Sequence, residues 1–139
     1  MAANEPGDEF NDSEPAEAAA KHLFWMGGSL HDVRTFPAEV RQVIGFALWQ
    51  AQNGGKHVDA KPLKGFGGAG VLEVVADHRG DTFRGVYTVK FDGAVYVLHA
   101  FQKKSTRGAK TAKRDIDLVE KRLKLAAKHY AIWRTSQQK

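Results

Sequence analysis

The sequence contains no cysteine, which excludes disulfides and thiolate metal centres. Its six histidines, His22, His31, His57, His78, His99 and His129, are scattered without the close pairing that zinc sites favour, so no metal is expected. No apolar run approaches the ~20 residues of a membrane span, and the N-terminus is acidic where a secretory signal is basic and then apolar. The chain therefore reads as cytoplasmic, with no membrane partner. Basic residues are missing from positions 1–20, which hold six acids: Glu5, Asp8, Glu9, Asp12, Glu14 and Glu17. This stretch is poor in apolar residues and carries two prolines, so it should be a disordered acidic tail that adds nothing to the core. Residues 21–139 suit one domain and are too short for two.

Without the tail, 21 bases face 10 acids, a formal +11. From Phe101 to the end there are 12 bases and three acids, with much of the excess in "QKKSTRGAKTAKR", Gln102 to Arg114. A block of this kind is the electrostatic footprint of a polyanion partner, because neutralised phosphates release counterions. It favours nucleic acid over a merely solvated basic face.

Hydrophobic periodicity supplies the elements. "HLFWM", His22 to Met26, reads as a first strand ended by Gly27-Gly28, and Ser29 with Asp32 has capping-box spacing for a short helical turn. Pro37 and Glu39 suit the first turn of a second helix, in which Val40, Val43, Ile44, Ala47, Leu48 and Ala51 share one face and Gly54-Gly55 is the stop. Three strands follow as an antiparallel meander: Val71 to Ala76, Thr82 to Phe91, and Ala94 to Phe101. They are joined by turns at "HRGD" and at Asp92-Gly93. In the last helix Thr111 suits the N-cap and Asp115 and Asp117 the positive end. Ile116, Val119, Leu123, Ala126, Ala127 and Tyr130 form its buried stripe, with Arg114, Lys121, Lys124 and Lys128 off it. The expected order is β-α-α-β-β-β-α, a small α+β domain with helices packed on a twisted, mostly antiparallel sheet.

Gly65, Gly67 and Gly70 in "LKGFGGAGVLEV" spell G-x-G-x-x-G. A dinucleotide fingerprint needs a strand before the glycines and a helix after them. Here a polar stretch, "NGGKHVDAKP", which does not read as a strand, precedes them, and the β-branched "VLEVVAD" follows. The glycines therefore read as a tight lead into a sheet, and no cofactor is implied.

Arg84 in "TFRGVYTV" falls, by alternation, on the face opposite Phe83, Tyr87, Val89 and Phe91. The next strand runs into "HAFQKKSTR", bringing His99, Lys103, Lys104 and Arg107 to one end of the sheet, while Lys61 and Lys64 flank the glycine turn. These cations suit phosphodiester chemistry without a metal: arginine binds phosphate by a fork of hydrogen bonds, and lysines add charge for the transition state. His99 is the candidate general acid or base, a structural strand histidine being the alternative. Glu73 stands where it would pair with Arg84 or assist proton transfer, pairing being the expectation.

"FPAEVRQVIGFALWQAQNGG", "KPLKGFGGAGVLEV", "DTFRGVYTV" and "AVYVLHAFQKKSTRG" together closely resemble the phage-derived, HigB-like branch of the RelE/ParE toxin superfamily. The resemblance runs from Leu23 to about Tyr130 and implies the small RelE-like fold. It also implies a type II toxin that cuts messenger RNA in the ribosomal A site and is neutralised by a helix-turn-helix antitoxin in a hetero-oligomer. Arg84 matches the strand arginine of RelE-like nucleases, and Lys104, or its neighbour Lys103, the cation after the last strand. RelE-type enzymes carry lysines on the first meander strand, where this chain has Leu72, Glu73 and Val74, and their C-terminal catalytic tyrosine has no counterpart placed here. The reading is thus a ribosome-dependent endoribonuclease with Arg84, His99, Lys103 and Lys104 as catalytic candidates. Lys61, Lys64, Arg107, Lys110, Lys113 and Arg114 would bind RNA. The alternative is a non-enzymatic, ParE-like poison of DNA gyrase or a nucleic-acid-binding module.

Overall fold

The computed structural model describes residues 20–68, 70–103 and 111–138. Its elements are β1 (His22–Trp25), α1 (Ser29–Arg34), α2 (Ala38–Gln52), β2 (Ala60–Pro62), β3 (Val71–His78), β4 (Asp81–Thr88), β5 (Ala94–Lys103) and α3 (Lys113–Gln137). They form one five-stranded sheet of order β1-β5-β4-β3-β2, antiparallel except for the β1–β5 pair. The meander and its flanking helices are as expected from periodicity. The polar stretch before the glycines differs: Ala60–Pro62 is a short edge strand, making the order β-α-α-β-β-β-β-α. Proline removes a ladder donor, which an edge strand tolerates and a central strand does not.

The sheet is covered on both faces. Val40, Ile44, Ala47, Leu48 and Ala51 of α2 pack on Val74, Ala76, Phe83, Tyr87, Val95 and Val97. On the opposite face Val119 and Ala126 of α3, with half-buried Ile116, Leu123, Tyr130 and Trp133, pack on Val86, Tyr96 and Leu98. Ala127, expected in that stripe, is exposed. Phe91 lies beyond the end of β4 and joins the α3 side rather than the face of Phe83 and Tyr87.

The caps are also corrected. Gly28 is the N-cap of α1, and Ser29 is buried, its hydroxyl 3.4 Å from the Val97 carbonyl instead of capping the helix. Ala112, not Thr111, precedes α3, and Pro37 is the N-cap of α2. The glycine loop leads into β3 with no helix behind it. Gly67 and Gly70 hold φ of +67° and +80°, a region closed to most side chains, and Gly70 accepts bonds from Thr88 and Val89 that tie the loop to β4.

Candidate functional site

The site grows from an irregularity in β5. Val86 pairs with His99 but Tyr87 with Val97, so Leu98 is an extra residue, a β-bulge. A bulge breaks strict alternation and re-aims side chains. Here Leu98 packs in the α3-side core while His99 also reaches α3, where its Nε2 lies 2.8 Å from Asp115 Oδ1. The Leu98 carbonyl, displaced from the ladder, accepts a 2.9 Å bond from Arg122 Nη1. Beyond the bulge Phe101 stacks on His99 with centroids 4.6 Å apart. Lys103, itself buried, ends the row on the same face.

The neighbouring strands complete the arrangement. Arg84 stands opposite Phe101 and Val75, and Glu73 opposite Val86 and Lys61, so all share the α3 face. Glu73 pairs with Arg84 as expected, Oε1 accepting from Arg84 Nη1 at 2.7 Å. Its other oxygen accepts from Thr111 Oγ1 at 2.8 Å, which pins the start of α3 to β3. The Arg84 side chain is only 12% exposed, so this is a set arginine, not one free on an open sheet face.

Among the described residues four buried side-chain polar atoms lack a hydrogen-bond partner: Gln50 Oε1, Tyr87 Oη, Arg84 Nε and His99 Nδ1. Two of the four belong to the candidate site. Asp115 is an acceptor, so it holds the proton of a neutral His99 on Nε2 and leaves Nδ1 as a lone pair. The site thus keeps one donor, Arg84 Nε–H, and one acceptor, His99 Nδ1, unsatisfied. Leaving such a group unpaired costs about 1–3 kcal/mol, and an ordered water, a ligand or a reacting group can supply the partner.

Among the described residues two clefts border the site. One, of about 540 Å³, is lined by Arg84, Lys61, Val58, Val75 and Asp77 beside β2; the other, of about 480 Å³, by His99, Phe101, Phe83 and Gln102 at the end of β5. Arg84 and His99 are diagonal neighbours on one face that open into separate clefts. Lys61, Lys64, Lys113 and Arg114 are exposed; Lys61 stands opposite Glu73, whereas Lys64 follows the Leu63–Val71 bond at the start of β3, away from Lys103 opposite Thr82. Lys113 is paired with Asp117 at 2.9 Å, and that hydrogen bond and charge hold its ammonium above the usual lysine pKa. Lys104, Arg107 and Lys110 lie outside the described residues. None of the three tyrosines joins the site: Tyr87 packs toward α2, Tyr96 bonds His129, and Tyr130 bonds the Asp92 carbonyl. Among the described residues no three His, Asp or Glu side chains gather as a metal-binding group. Nor is any described helix long and apolar enough to cross a membrane.

Asp115, Thr111 and Phe101 were not among the residues singled out for chemistry. Asp115 carried a legible signal: with Val119, Arg122 and Ala126 it makes an i, i+4, i+7, i+11 row, an acid on a sheet-facing stripe.

The chain is thus a small α+β domain whose sheet sets an Asp–His pair beside an ion-paired arginine. A family model described as Phage derived protein Gp49-like (DUF891) matches residues 31–124, a stretch that contains every described residue of this site. The chain belongs to that family, which is part of the RelE/HigB-like toxin group. No curated protein matches the sequence.

Proposed function

We propose that the chain is the toxin of a type II toxin–antitoxin module, a HigB-like endoribonuclease that cuts messenger RNA on the ribosome without a metal. One observation carries the reading: Arg84 Nε–H and His99 Nδ1 are a buried donor and a buried acceptor, both without partners, on one face of the sheet. An RNA backbone offers the complement, a phosphate oxygen that accepts and a 2′-OH that donates. A purely apolar ligand offers neither. In this reading His99 takes the 2′-OH proton at Nδ1 as the 2′ oxygen attacks the adjacent phosphorus. The imidazolium so formed is stabilised by Asp115. Arg84 and Lys103 hold the charge on the phosphoryl oxygens. The P–O5′ bond breaks, leaving a 2′,3′-cyclic phosphate, and the 5′ oxygen takes a proton from the lysine-rich end of β5, Lys103 or Lys104.

Lys61, Lys64, Lys113 and Arg114, with Arg107 and Lys110, would supply RNA affinity rather than rate. The proposed partners are the programmed ribosome and a helix-turn-helix antitoxin that forms a hetero-oligomer with the toxin. Primer extension on messenger RNA after brief induction tests the reading. New codon-aligned 5′ ends are expected. Intact transcripts accompanied by DNA breaks would overturn it in favour of a gyrase poison on the same fold.

A further inference from the structure

The outer face of α2 carries an apolar patch that the described fold leaves uncovered. Phe46 and Trp49 are 51% and 58% exposed, with their rings stacked at 5.9 Å and 13° between planes. His57 meets the Phe46 ring edge-on at 5.7 Å, and Val58, which follows it, is 91% exposed. Gly45 sits in mid-helix, where a Cβ would meet nothing within 4 Å. Glycine is a poor helix former, so an exposed mid-helix glycine weakens the helix relative to alanine. Its effect here is a notch between Arg41 and Trp49, the residues four before and four after it on the same helix row. Exposed aromatic surface rimmed by polar residues is contact surface.

The described chain begins beside this patch. Lys21 donates its backbone N–H to the Gln52 carbonyl at 2.9 Å, and its carbonyl accepts from Gln52 Nε2 at 2.8 Å. The described chain therefore begins at the C-terminal end of α2, about one turn from Trp49 and about two from Phe46. Residues 1–19 carry six acids, no base and a single aromatic residue, Phe10, while Arg41 and Lys56 are exposed on and beside the patch. A chain of the length from Phe10 to Ala20, treated as a random coil, would reach roughly 17 Å root-mean-square. Phe46 lies about 9 Å from Gln52 along the helix axis, within that reach.

We propose that residues 1–19 dock on the outer face of α2, with Phe10 on the Phe46–Trp49 pair and the neighbouring acids on Arg41 and Lys56. Tethering makes this feasible for a weak contact, because a short flexible linker presents its end at about millimolar effective concentration. Docking adds no core, and it keeps the aromatic pair from pairing with other chains. The inference does not rest on the nuclease reading.

The absence of cysteine allows a direct test on the full-length protein. A nitroxide on Ser13→Cys relaxes nearby protons, and the three tryptophan indole N–H signals are the reporters. Trp49 lies on the patch. Trp133 is the control: it meets His22 at 4.9 Å, near the start of the described chain, but belongs to the α3 side of the sheet. Docking predicts loss of the Trp49 signal with Trp133 retained, unchanged on dilution with unlabelled chain, and recovery of Trp49 in Phe10→Ala. Equal loss at both indoles would show an undirected tail and overturn the proposal. So would loss confined to the basic face of α3, or a Trp49 loss that Phe10→Ala leaves in place.

Discussion

Asp115→Asn separates the chemistry from the fold. The side chain keeps its shape, but an amide can donate to His99 Nε2, which moves the proton to Nδ1 and removes the lone pair that would accept from a 2′-OH. What is lost is the charge assistance in the 2.8 Å bond between Asp115 Oδ1 and His99 Nε2, both side chains largely buried at 17% and 9% exposed. Charge-assisted bonds of this kind contribute about 1.5–3 kcal/mol, which at about 1.4 kcal/mol per decade is a 10- to 150-fold loss of rate. The tautomer change adds to that; in a hydrolase triad built on the same carboxylate–histidine contact, the equivalent exchange costs about 10⁴-fold. We therefore expect single-turnover cleavage on saturating programmed ribosomes to fall at least tenfold, with ribosome affinity unchanged. Asp117→Asn, which removes only the exposed partner of Lys113, is the control and should leave the rate alone. An Asp115→Asn protein that is folded by circular dichroism and cleaves at the full rate would refute the role of the Asp–His pair.

Other outcomes follow from the same geometry. Lys103→Ala should lower saturated cleavage more than ribosome binding, whereas Lys121→Ala with Lys124→Ala, on the exposed side of α3, should weaken binding and flatten its salt dependence; equal effects would move Lys103 to the binding surface. Gly27→Ala should cost about 1–3 kcal/mol in denaturant unfolding, because Gly27 holds φ +56° and its Cβ would stand 2.6 Å from the Arg122 guanidinium that satisfies the bulge carbonyl. An unchanged midpoint would show that Arg122 is not a strut. Burial pushes the Tyr87 and Tyr96 hydroxyls up to about 12, from the unperturbed 10.0 that the unfolded chain takes. The unfolded state therefore loses these protons first as pH rises. Their contribution is complete below about pH 10 and is lost as pH climbs to about 12, so the melting temperature should drop across that window. A flat profile there would mean that the rings are not shielded.

Much of this was legible because it follows from period and turn chemistry. The α2 stripe from Val40 to Ala51 and the apolar runs of β3 to β5 each have one arrangement that buries the apolar set, and Asp92-Gly93 closes the last hairpin. The pairing of Glu73 with Arg84 could be anticipated because two opposite charges inside adjacent strands need each other when buried. What escaped was set by tertiary context. β2 was hidden by Pro62 and the surrounding glycines, which an edge position makes harmless. Ser29 and Thr111 have capping chemistry, yet each found a sheet partner, the Val97 carbonyl and the Glu73 carboxylate. The Leu98 bulge has no local signal, since "VYVLHAF" is a nearly continuous apolar run with no alternation for an extra residue to interrupt, and it is the bulge that turns His99 toward Asp115.

The most direct test of the central claim is made on the substrate. A messenger RNA with one 2′-deoxy nucleotide at the cleaved position keeps every phosphate but removes the donor that His99 Nδ1 is proposed to accept and the nucleophile itself. On programmed ribosomes the account predicts unchanged binding and no cut at that position, with the all-ribose control cut to a 2′,3′-cyclic phosphate and a 5′-OH. Cleavage of the deoxy position at the control rate would contradict it, because the strand would then be broken by something other than its own 2′ oxygen.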